Sequence, residues 1–537
     1  MGTSLVAPIA QPLGDRVTVG ALQMEPVHGD VAANFARARE LILTGSAPQT
    51  TLIVFPEMGL SGYIWESPGD VMPHALQCSD PATQVQWVNL AREVGAWLVI
   101  GHPAHEALTG RLTNRCTLVS PGGVVGHYDK TCLFSEDLAW ASPGELIPPI
   151  WDTPVGKIAP LICADLDYPE PISSAVSRGA QLIVVPTAWV AEPAPSATWL
   201  LRSWEHQIPI IAADIMGIDQ GRIFSGGSCI LRMDGSIATS IDYDEGLISA
   251  EILIPGPQSR PDSTATGPSV RVHELDIARG VAEATSVTVS LWSGRPESAG
   301  APPVQQHGAL HLVVLPTVAN PAAGWVADRC DFATAQSAIV VQGRRVAPDD
   351  SEELFIFAPD SGYFSFTSAP NRPVAVVVTV RGIRVGVMAN RDLGAHRISR
   401  ALSLLGASVV LGQGSDELSP PNGSSGTRAP FSGGLADGDP TFGHPVRFRA
   451  GDANVWLGYC SESPEVPSGI FSPDHVRWPR YETLATGGSW ATQHCSLEPD
   501  DAWGAGALDK PLVSASRTSL YGKNYPAEVT PSTWRKL

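Results

Sequence analysis

The stretch Lys157-Ile-Ala-Pro-Leu-Ile-Cys-Ala-Asp-Leu-Asp-Tyr-Pro-Glu170 joins an apolar, strand-like run to a segment with helical character. A cysteine at such a junction, here Cys163, is pushed out of the sheet, and the first amides of the following helix stabilise negative charge beside it. Glu57 and Lys130 occur at two further strand ends upstream. A thiol, a carboxylate base and an ammonium are the groups that acyl transfer needs. The pattern predicts an acyl-transfer site around Cys163.

The first half of the chain alternates between strand-like and helix-like segments. The strand-like runs are Val17–Leu22, Thr51–Phe55, Trp97–Ile100 and Gln181–Val185, and the helical ones are Val31–Leu43, Gln84–Val94 and Ile172–Arg178. Pro121-Gly-Gly123 supplies a hairpin turn between two further strands. This order predicts a layered α/β sandwich.

Composition shifts divide the chain into four parts. Residues 1–15 are predicted to be an N-terminal extension and 16–256 the catalytic domain. Pro and Gly thicken over 257–284, which indicates an exposed linker, and 285–537 form a second domain. Within that second domain, the Ser-, Gly- and Pro-rich stretch 415–438 is predicted to be a loop.

The second half repeats the pattern of the first. The segment from Cys163 to Gly179 aligns without gaps with the segment from Asn390 to Gly406, and each is followed by Ala and an apolar strand. In the second copy Asn390 occupies the cysteine position and Thr317 the Glu57 position, with no convincing lysine near Tyr363. The chain is therefore predicted to be a tandem duplication whose second copy is degenerate and lacks the catalytic residues.

Composition limits the classes of partner that we expect and the cellular location. The chain has 537 residues, 43% hydrophobic and 17% charged, with a formal net charge of -19. An acidic surface repels phosphate backbones and anionic lipids, so we expect no nucleic-acid partner and no membrane partner. No apolar run reaches the roughly 18 residues of a membrane helix, and the N-terminus lacks a basic region typical of a signal peptide.

The eight cysteines show no C-x-x-C pair and no regular spacing. Such usage is not typical of a disulfide framework or of a structural zinc site. We expect reduced thiols and a cytoplasmic location, and neither a metal ion nor a cofactor.

Three sequence motifs resemble those of a known family. Phe55-Pro-Glu-Met-Gly-Leu-Ser-Gly-Tyr63, Tyr128-Asp-Lys-Thr-Cys-Leu-Phe134 and Leu161-Ile-Cys-Ala-Asp-Leu-Asp-Tyr-Pro-Glu170 resemble, in order and spacing, the three motifs of the nitrilase, or carbon-nitrogen hydrolase, superfamily. The resemblance covers roughly residues 16–254. It implies an αββα sandwich, with Glu57, Lys130 and Cys163 as the catalytic set.

The chemistry of these side chains agrees with that implication. Glu57 would take the thiol proton, and the Cys163 thiolate would attack a carbonyl carbon. Lys130 and the amide of Ala164 would donate to the oxyanion. Glu57 would then protonate the leaving amine and activate the water that hydrolyses the thioester. Cys132 is the nearest rival nucleophile, but it lies inside the lysine motif and is better explained by packing.

A second carboxylate soon after the lysine often orients the substrate in this family. Glu136 and Asp137 are the two candidates here: counting from Lys130 favours Asp137, whereas residue type favours Glu136. We favour Glu136 narrowly at this point.

The residues after the cysteine narrow the substrate. Nitrile-cleaving members typically have Trp-Glu there, whereas this chain has Ala164-Asp165, which resembles the amidase and carbamoylase branches. Asp165 is expected to bind backbone at the turn and not to react. We therefore expect a small-molecule amide as substrate. Specificity is expected to lie in loops such as 64–69 and 190–199, and Trp65, Trp140 and Trp189 are candidate pocket residues.

Several alternatives stay open. The same thioester could be passed to an amine or hydroxyl by an acyltransferase, and an N-carbamoyl group or a nitrile could replace the amide. A non-catalytic binding or scaffold protein is a further alternative. Members of the superfamily usually pair their sandwiches face to face, so residues 285–537 are expected to act as an internal pseudo-dimer partner, and a further homo-oligomer is left open.

Overall fold

The computed structural model describes most of the first half of the chain and separate segments of the second. In the first half it describes residues 16–45, 49–144, 147–190 and 194–256. In the second half it describes residues 270–277, 284, 286–293, 302–303, 309–318, 321–346, 351–359, 361–369, 373–390, 396–413, 449–450, 452–453, 455–460, 468–472, 482–485, 489–496 and 527–531. The loop predicted at 415–438 and the extension 1–15 lie outside these residues.

The chain divides into two compact units. The first contains Met1–Leu166 and Pro171–Asp262, and the second contains Asp167–Glu170 and Ser263–Leu537. The main division, at 262–263, falls inside the segment predicted to be a linker.

Two six-stranded mixed sheets form the first unit. Their strands, in chain order, are β1 Arg16–Gln23, β2 Thr50–Val54, β3 Trp97–His105, β4 Leu112–Ser120, β5 Gly123–Asp129, β6 Trp151–Thr153, β7 Gly156–Pro160, β8 Leu182–Thr187, β9 Ile210–Asp214, β12 Cys229–Leu231, β13 Ile237–Ser240 and β14 Gly246–Leu253; the short hairpin β10 Met216–Asp219 and β11 Arg222–Ser225 stands apart. One sheet has the order β14-β1-β2-β3-β4-β5 and the other β13-β12-β9-β8-β7-β6. Strands β1 and β2 pack against β8 and β9, so the two sheets form a sandwich.

Helices cover the sandwich. They are α1 Val31–Gly45, α2 Pro68–Ser79, α3 Pro81–Val94, α4 Pro169–Ser177 and α5 Ala197–His206. Local sequence explains their ends: the Asp80 carboxylate caps α3 by accepting from the Ala82 amide, and Gly95 closes it in the left-handed conformation. Apolar residues of α1 and α3 share one core cluster with β2 and β3. The αββα sandwich predicted from the sequence is confirmed.

The second unit repeats this topology. Its strands are β15 Val270–Ile277, β16 Ser286–Ser293, β17 Leu310–Val318, β18 Ile339–Val346, β19 Ser351–Ala358, β20 Gly362–Ser368, β21 Val374–Val380, β22 Ile383–Ala389, β23 Val409–Gln413, β24 Trp456–Cys460, β25 Ser468–Phe471, β26 Glu482–Ala485, β27 Ser489–Ser496 and β28 Ala527–Pro531, with helices α6 Trp325–Gln336 and α7 His396–Leu404. One sheet has the order β27-β16-β17-β18-β19-β20, which matches β14-β1-β2-β3-β4-β5 strand for strand. Each pair of neighbouring strands in one sheet also has the same relative direction, parallel or antiparallel, as the corresponding pair in the other sheet.

The other sheet of the second unit matches in the same way. Six of its strands, β26-β25-β24-β23-β22-β21, follow the order of β13-β12-β9-β8-β7-β6, and β15 and β28 extend it beyond β21. Asn390 comes directly after β22, and Cys163 comes after the corresponding strand β7, from which two residues separate it. The shared topology is what a tandem duplication predicts.

Two sequence-based expectations need correction here. The linker predicted over 257–284 contains β15, which pairs in parallel with both β21 and β28. The Pro- and Gly-rich composition that suggested a linker ends before this strand, and Val272 and Leu275 on it are buried in two different core clusters. The position equivalent to Lys130 is Ala369, directly after β20, because Tyr363 lies at the opposite end of that strand.

Among the described residues, no helix has both the length and the apolar character needed to cross a membrane.

Candidate active site

Cys163 lies at a strained turn between β7 and α4. It begins a short 3-10 helix, Cys163–Leu166, and its φ of 43° lies in the left-handed region, which costs a non-glycine residue about 1–3 kcal/mol. Asp165 maintains the turn: its carboxylate accepts from the amides of Ile162 at 2.9 Å and Cys132 at 2.8 Å. Asp165 therefore has the backbone-binding arrangement expected of it. The Cys163 Sγ lies 3.9 Å from the carbonyl oxygen of Ala188.

Glu57 follows β2, in a segment that packs directly against β3. The close approach requires a glycine at position 101, because a Cβ there would lie 2.2 Å from the carbonyl oxygen of Pro56. The Glu57 amide donates to the carbonyl of Thr187 at 3.3 Å, which ties this segment to the end of β8. Glu57 is completely buried. Within the described part of the chain, its Oε2 has no hydrogen-bond partner.

Lys130 connects the two buried carboxylates of the site. Its Nζ donates to Glu57 Oε1 at 2.7 Å and to Asp137 Oδ2 at 2.6 Å, and all three side chains have no solvent exposure. The Asn114 amide bridges the same two carboxylates, donating to Glu57 Oε1 at 2.7 Å and Asp137 Oδ1 at 2.9 Å. The four side chains therefore form one closed hydrogen-bonded group.

The geometry reverses the preference for Glu136 over Asp137. Glu136 points away from Lys130 and forms an ion pair with Arg222, whereas Asp137 binds the ammonium and also accepts from the Phe134 amide at 2.9 Å. Residue type was a poor guide because the short 3-10 helix Asp137–Ala139 begins at residue 137 and turns that side chain inward.

Sequence reasoning missed Asn114. It lies on β4, which pairs with β5, and the Lys130 amide donates to the Asn114 carbonyl at 2.8 Å. Counting outward from the hairpin turn at 121–123 would have placed residue 114 opposite residue 129, because the register shifts by one residue between Leu118 and Val119 and this shift cannot be read from the sequence.

Burial sets the protonation of Glu57. Desolvation is the largest effect and raises the pKa of its carboxyl. The Lys130 charge lowers this pKa and the Asp137 charge raises it, and the net result is a pKa of about 7. For Lys130 burial acts to lower the pKa, but the Asp137 and Glu57 carboxylates outweigh it and raise the pKa well above its usual value. One ammonium between two carboxylates leaves an excess negative charge, so a proton on Glu57 is easily kept. A pKa near neutrality suits a residue that must both accept and return a proton.

The thiol is neutral at rest. Burial raises the pKa of Cys163 well above its ordinary value, and the Glu57 charge raises it further, while the Lys130 charge lowers it by less than burial raises it. Attack must therefore be coupled to loss of the thiol proton, for which Glu57 is the nearby base.

The remaining predicted residues lie around this group. Ala164 is buried next to Cys163. Trp65 and Trp140 are 5% exposed and belong to the same apolar cluster as Ala188; Trp189 is 2% exposed and its amide donates to Asp214 at 2.9 Å. Their role as pocket residues stays a prediction, as does the oxyanion role of the Ala164 amide.

The described residues contain no group of three or more His, Cys, Asp or Glu side chains arranged to hold a metal ion. All eight cysteines lie in described segments, and none forms a disulfide bond.

Comparison with known proteins places the first half of the chain in a family. The model of the carbon-nitrogen hydrolase family matches residues 18–256. Residues 18–256 are a carbon-nitrogen hydrolase domain. We refer to them below as the hydrolase domain, and the prediction of a carbon-nitrogen hydrolase of the amidase-like kind is confirmed at this level.

Individual relatives cover a similar share of the chain. A nitrilase of Pyrococcus abyssi is 29% identical over 241 residues, covering 44% of this chain and 91% of that protein. An (R)-stereoselective amidase of a Pseudomonas species is 28% identical over 227 residues, covering 42% and 80%. The crystal structure of an amidase from a Nesterenkonia species is 25% identical, covers 45% of this chain and 93% of its own, and has a TM-score of 0.41.

Proposed function

We propose that the hydrolase domain is a thiol amidohydrolase that cleaves the C–N bond of a small amide through a thioester on Cys163. The observation that carries this proposal is the buried group of Glu57, Lys130, Asp137 and Asn114, in which one Glu57 oxygen has no partner among the residues that the structure describes. A purely structural ion-pair group would be expected to satisfy that oxygen, since an unpaired buried acceptor costs about 1–3 kcal/mol. A base that must receive a proton has to keep it available.

The steps follow from the protonation states. Glu57 takes the Cys163 proton as sulfur attacks the carbonyl carbon, and the carbonyl π pair moves to oxygen. Lys130 and the Ala164 amide donate to that oxyanion. When the oxyanion collapses, the C–N bond breaks and Glu57 returns its proton to the leaving amine. Water then gives a proton to Glu57 and adds to the thioester, releasing the acid and restoring the thiol.

The relatives support an acyl–nitrogen substrate of this kind. Besides the nitrilase and the (R)-stereoselective amidase, they include a deaminated glutathione amidase of Rattus norvegicus and an omega-amidase of Saccharomyces cerevisiae. The Ala164-Asp165 pair after the nucleophile favours an amide over a nitrile. The Asp165 carboxylate is occupied at the turn, because it accepts hydrogen bonds from two backbone amides and from the Tyr128 hydroxyl.

A substrate panel tests the proposal. Ammonia release is measured for acetamide, butanamide, benzamide, the matching nitriles and an N-carbamoyl amino acid, with wild type and Cys163→Ala. We expect release from at least one amide by wild type, and none by the variant. Release from nitriles alone, or equal release by the variant, would contradict the proposal. Repeating the reaction with added hydroxylamine distinguishes hydrolysis from acyl transfer: product formed only with the added acceptor indicates a transferase.

A further inference from the structure

The hydroxyl of Tyr63 is a buried donor that the residues around it do not use. Tyr63 is 1% exposed, and its hydroxyl has no hydrogen-bond partner in the described part of the chain. The other tyrosine near the elbow differs: the Tyr128 hydroxyl donates to Asp165 Oδ2 at 2.9 Å. Since burying an unpaired hydroxyl costs free energy, a position that needed only an aromatic ring would be better filled by phenylalanine.

Tyr63 lies beside the reacting groups. Its ring centroid is 5.7 Å from the Lys130 Nζ. Tyr63 also belongs to the apolar cluster that contains Ala188, whose carbonyl oxygen is the one 3.9 Å from the Cys163 Sγ. The charges of Asp137, Lys130 and Cys163 all influence the pKa of Tyr63, which burial raises well above its ordinary value. The hydroxyl therefore keeps its proton and remains a donor across the neutral range.

Both the backbone and the ring of Tyr63 are held in place. Its backbone amide donates to Asp219 Oδ2 at 2.6 Å, and the next amide, of Ile64, donates to the same oxygen at 2.9 Å. The His28 Nδ1 lies 2.8 Å from the other oxygen of Asp219. Phe224 meets the Tyr63 ring edge-on, with centroids 5.9 Å apart. A donor fixed in this way is preorganised, which is the property required for stabilising a charge that appears only during reaction.

The unpartnered atoms of the buried group around Lys130 are complementary to a carboxamide. Glu57 Oε2 and Asn114 Oδ1 are acceptors without partners among the described residues, and the Asn114 orientation follows from its Nδ2 donating to two carboxylates. Acceptors of this kind suit amide N–H groups. The Tyr63 hydroxyl offers a donor, and a carbonyl oxygen is the acceptor that an amide substrate brings.

We propose that Tyr63 is a catalytic residue whose hydroxyl donates a hydrogen bond to the substrate carbonyl oxygen, most strongly when that oxygen becomes the oxyanion. The proposal rests on the proposed function of the hydrolase domain and adds a donor to Lys130 and the Ala164 amide. No proton is transferred by Tyr63: as sulfur bonds to carbon, the π pair moves to oxygen, and the phenol O–H stabilises it.

Tyr63→Phe removes one oxygen atom and tests the proposal. The best substrate of wild type among acetamide, butanamide and benzamide is chosen first. Activity is then measured on this amide and on the methyl ester with the same acyl group. Losing one oxyanion donor typically costs about 100- to 1000-fold, so we expect kcat and kcat/KM to fall together by about 100-fold on both compounds, with KM changed little. Tyr243→Phe, at an exposed tyrosine, is the matched control and should equal wild type.

The melting temperature separates this role from a structural one. Removal of an unpaired buried hydroxyl should leave the melting temperature unchanged or raise it. Activity and melting temperature falling together would overturn the proposal. It would equally be overturned by unchanged activity, by a rise in KM alone, or by a loss confined to the amide, which would place the contact on the leaving nitrogen.

Aldehyde binding gives a readout that does not require turnover. Butanal adds the Cys163 thiol across its C=O bond, with the thiol proton ending on the oxygen, and the adduct mimics the tetrahedral intermediate. Calorimetry should show binding about 100-fold weaker to Tyr63→Phe than to wild type, and equal binding would contradict the proposal. A wild-type protein that binds butanal but releases no ammonia from the panel would instead contradict the proposed function. The comparison of butanal binding between wild type and Tyr63→Phe would still test the Tyr63 proposal.

Discussion

The Asp137 carboxylate accepts a hydrogen bond from the Lys130 ammonium at 2.6 Å, while its sequence neighbour Glu136 pairs with Arg222 near the surface. The two acids are adjacent in the chain but differ in burial, since Asp137 has no exposure and the Glu136 side chain keeps 14%. Of these two acids, Asp137 is the one whose charge raises the pKa of Glu57.

Asp137→Asn and Glu136→Gln form a matched pair that tests this difference. Asp137→Asn removes a charge that orients Lys130, and we expect kcat/KM on the best amide to fall at least about tenfold. It should also move the acid limb of the pH profile to lower pH, because the Asp137 charge raises the pKa of Glu57. Glu136→Gln loses a partly exposed ion pair and should stay within about threefold of wild type. The reverse order of effects would contradict the assignment.

The pH profile tests the protonation of Glu57. Because Glu57 acts first as a base and its pKa is raised to about 7, kcat/KM should rise with pH through a midpoint near 7. Asn114→Asp replaces a donor that lowers this pKa with a negative charge, and both changes raise it further. The midpoint should therefore move to higher pH by about one pH unit or more.

Asn89→Asp is the control for that charge change. Asn89 is exposed on α3, so the same substitution there should leave the midpoint near its wild-type value because solvent screens the charge. A midpoint near the ordinary glutamate value in wild type, or one that Asn114→Asp leaves in place, would contradict the role given to Glu57.

Gly101→Ala tests the close packing that positions Glu57. The added methyl would lie 2.2 Å from the Pro56 carbonyl oxygen and 2.8 Å from the Glu57 Cα, so the backbone must move. Overpacking of this kind costs about 1–3 kcal/mol, and a 1 Å displacement of a catalytic group can cost about 100-fold in rate. We expect a melting temperature lower by several degrees, measured by calorimetry, and a strong loss of kcat/KM.

Gly69→Ala is the matched glycine substitution. A Cβ at Gly69 would meet only the Ser67 hydroxyl at 3.6 Å, and the residue lies in α2, where alanine is favoured. This variant should be as stable as wild type or slightly more stable. Similar behaviour of the two variants would show that the Gly101 contact does not position Glu57.

Much of the fold and the three motif residues could be predicted from the sequence because they depend on local patterns. Alternating apolar runs specified the strands, and the ungapped repeat around Cys163 and Asn390 indicated the shared topology. Asn114 and the choice of Asp137 depend instead on strand pairing and on a single turn, which no local pattern reveals. The linker prediction failed at Val270–Ile277 for the same reason, since that strand is stabilised by pairing with distant strands. The role of residues 285–537 as an internal partner stays a prediction.

The most direct test of the central claim is ammonia release from the best amide by wild type, Cys163→Ala and Cys132→Ala, with folding checked by circular dichroism. Cys132 is the nearby buried cysteine that the mechanism does not use. The account predicts a loss of more than about 1000-fold for Cys163→Ala and retained activity for Cys132→Ala. Ammonia release by a folded Cys163→Ala protein at the wild-type rate would contradict it.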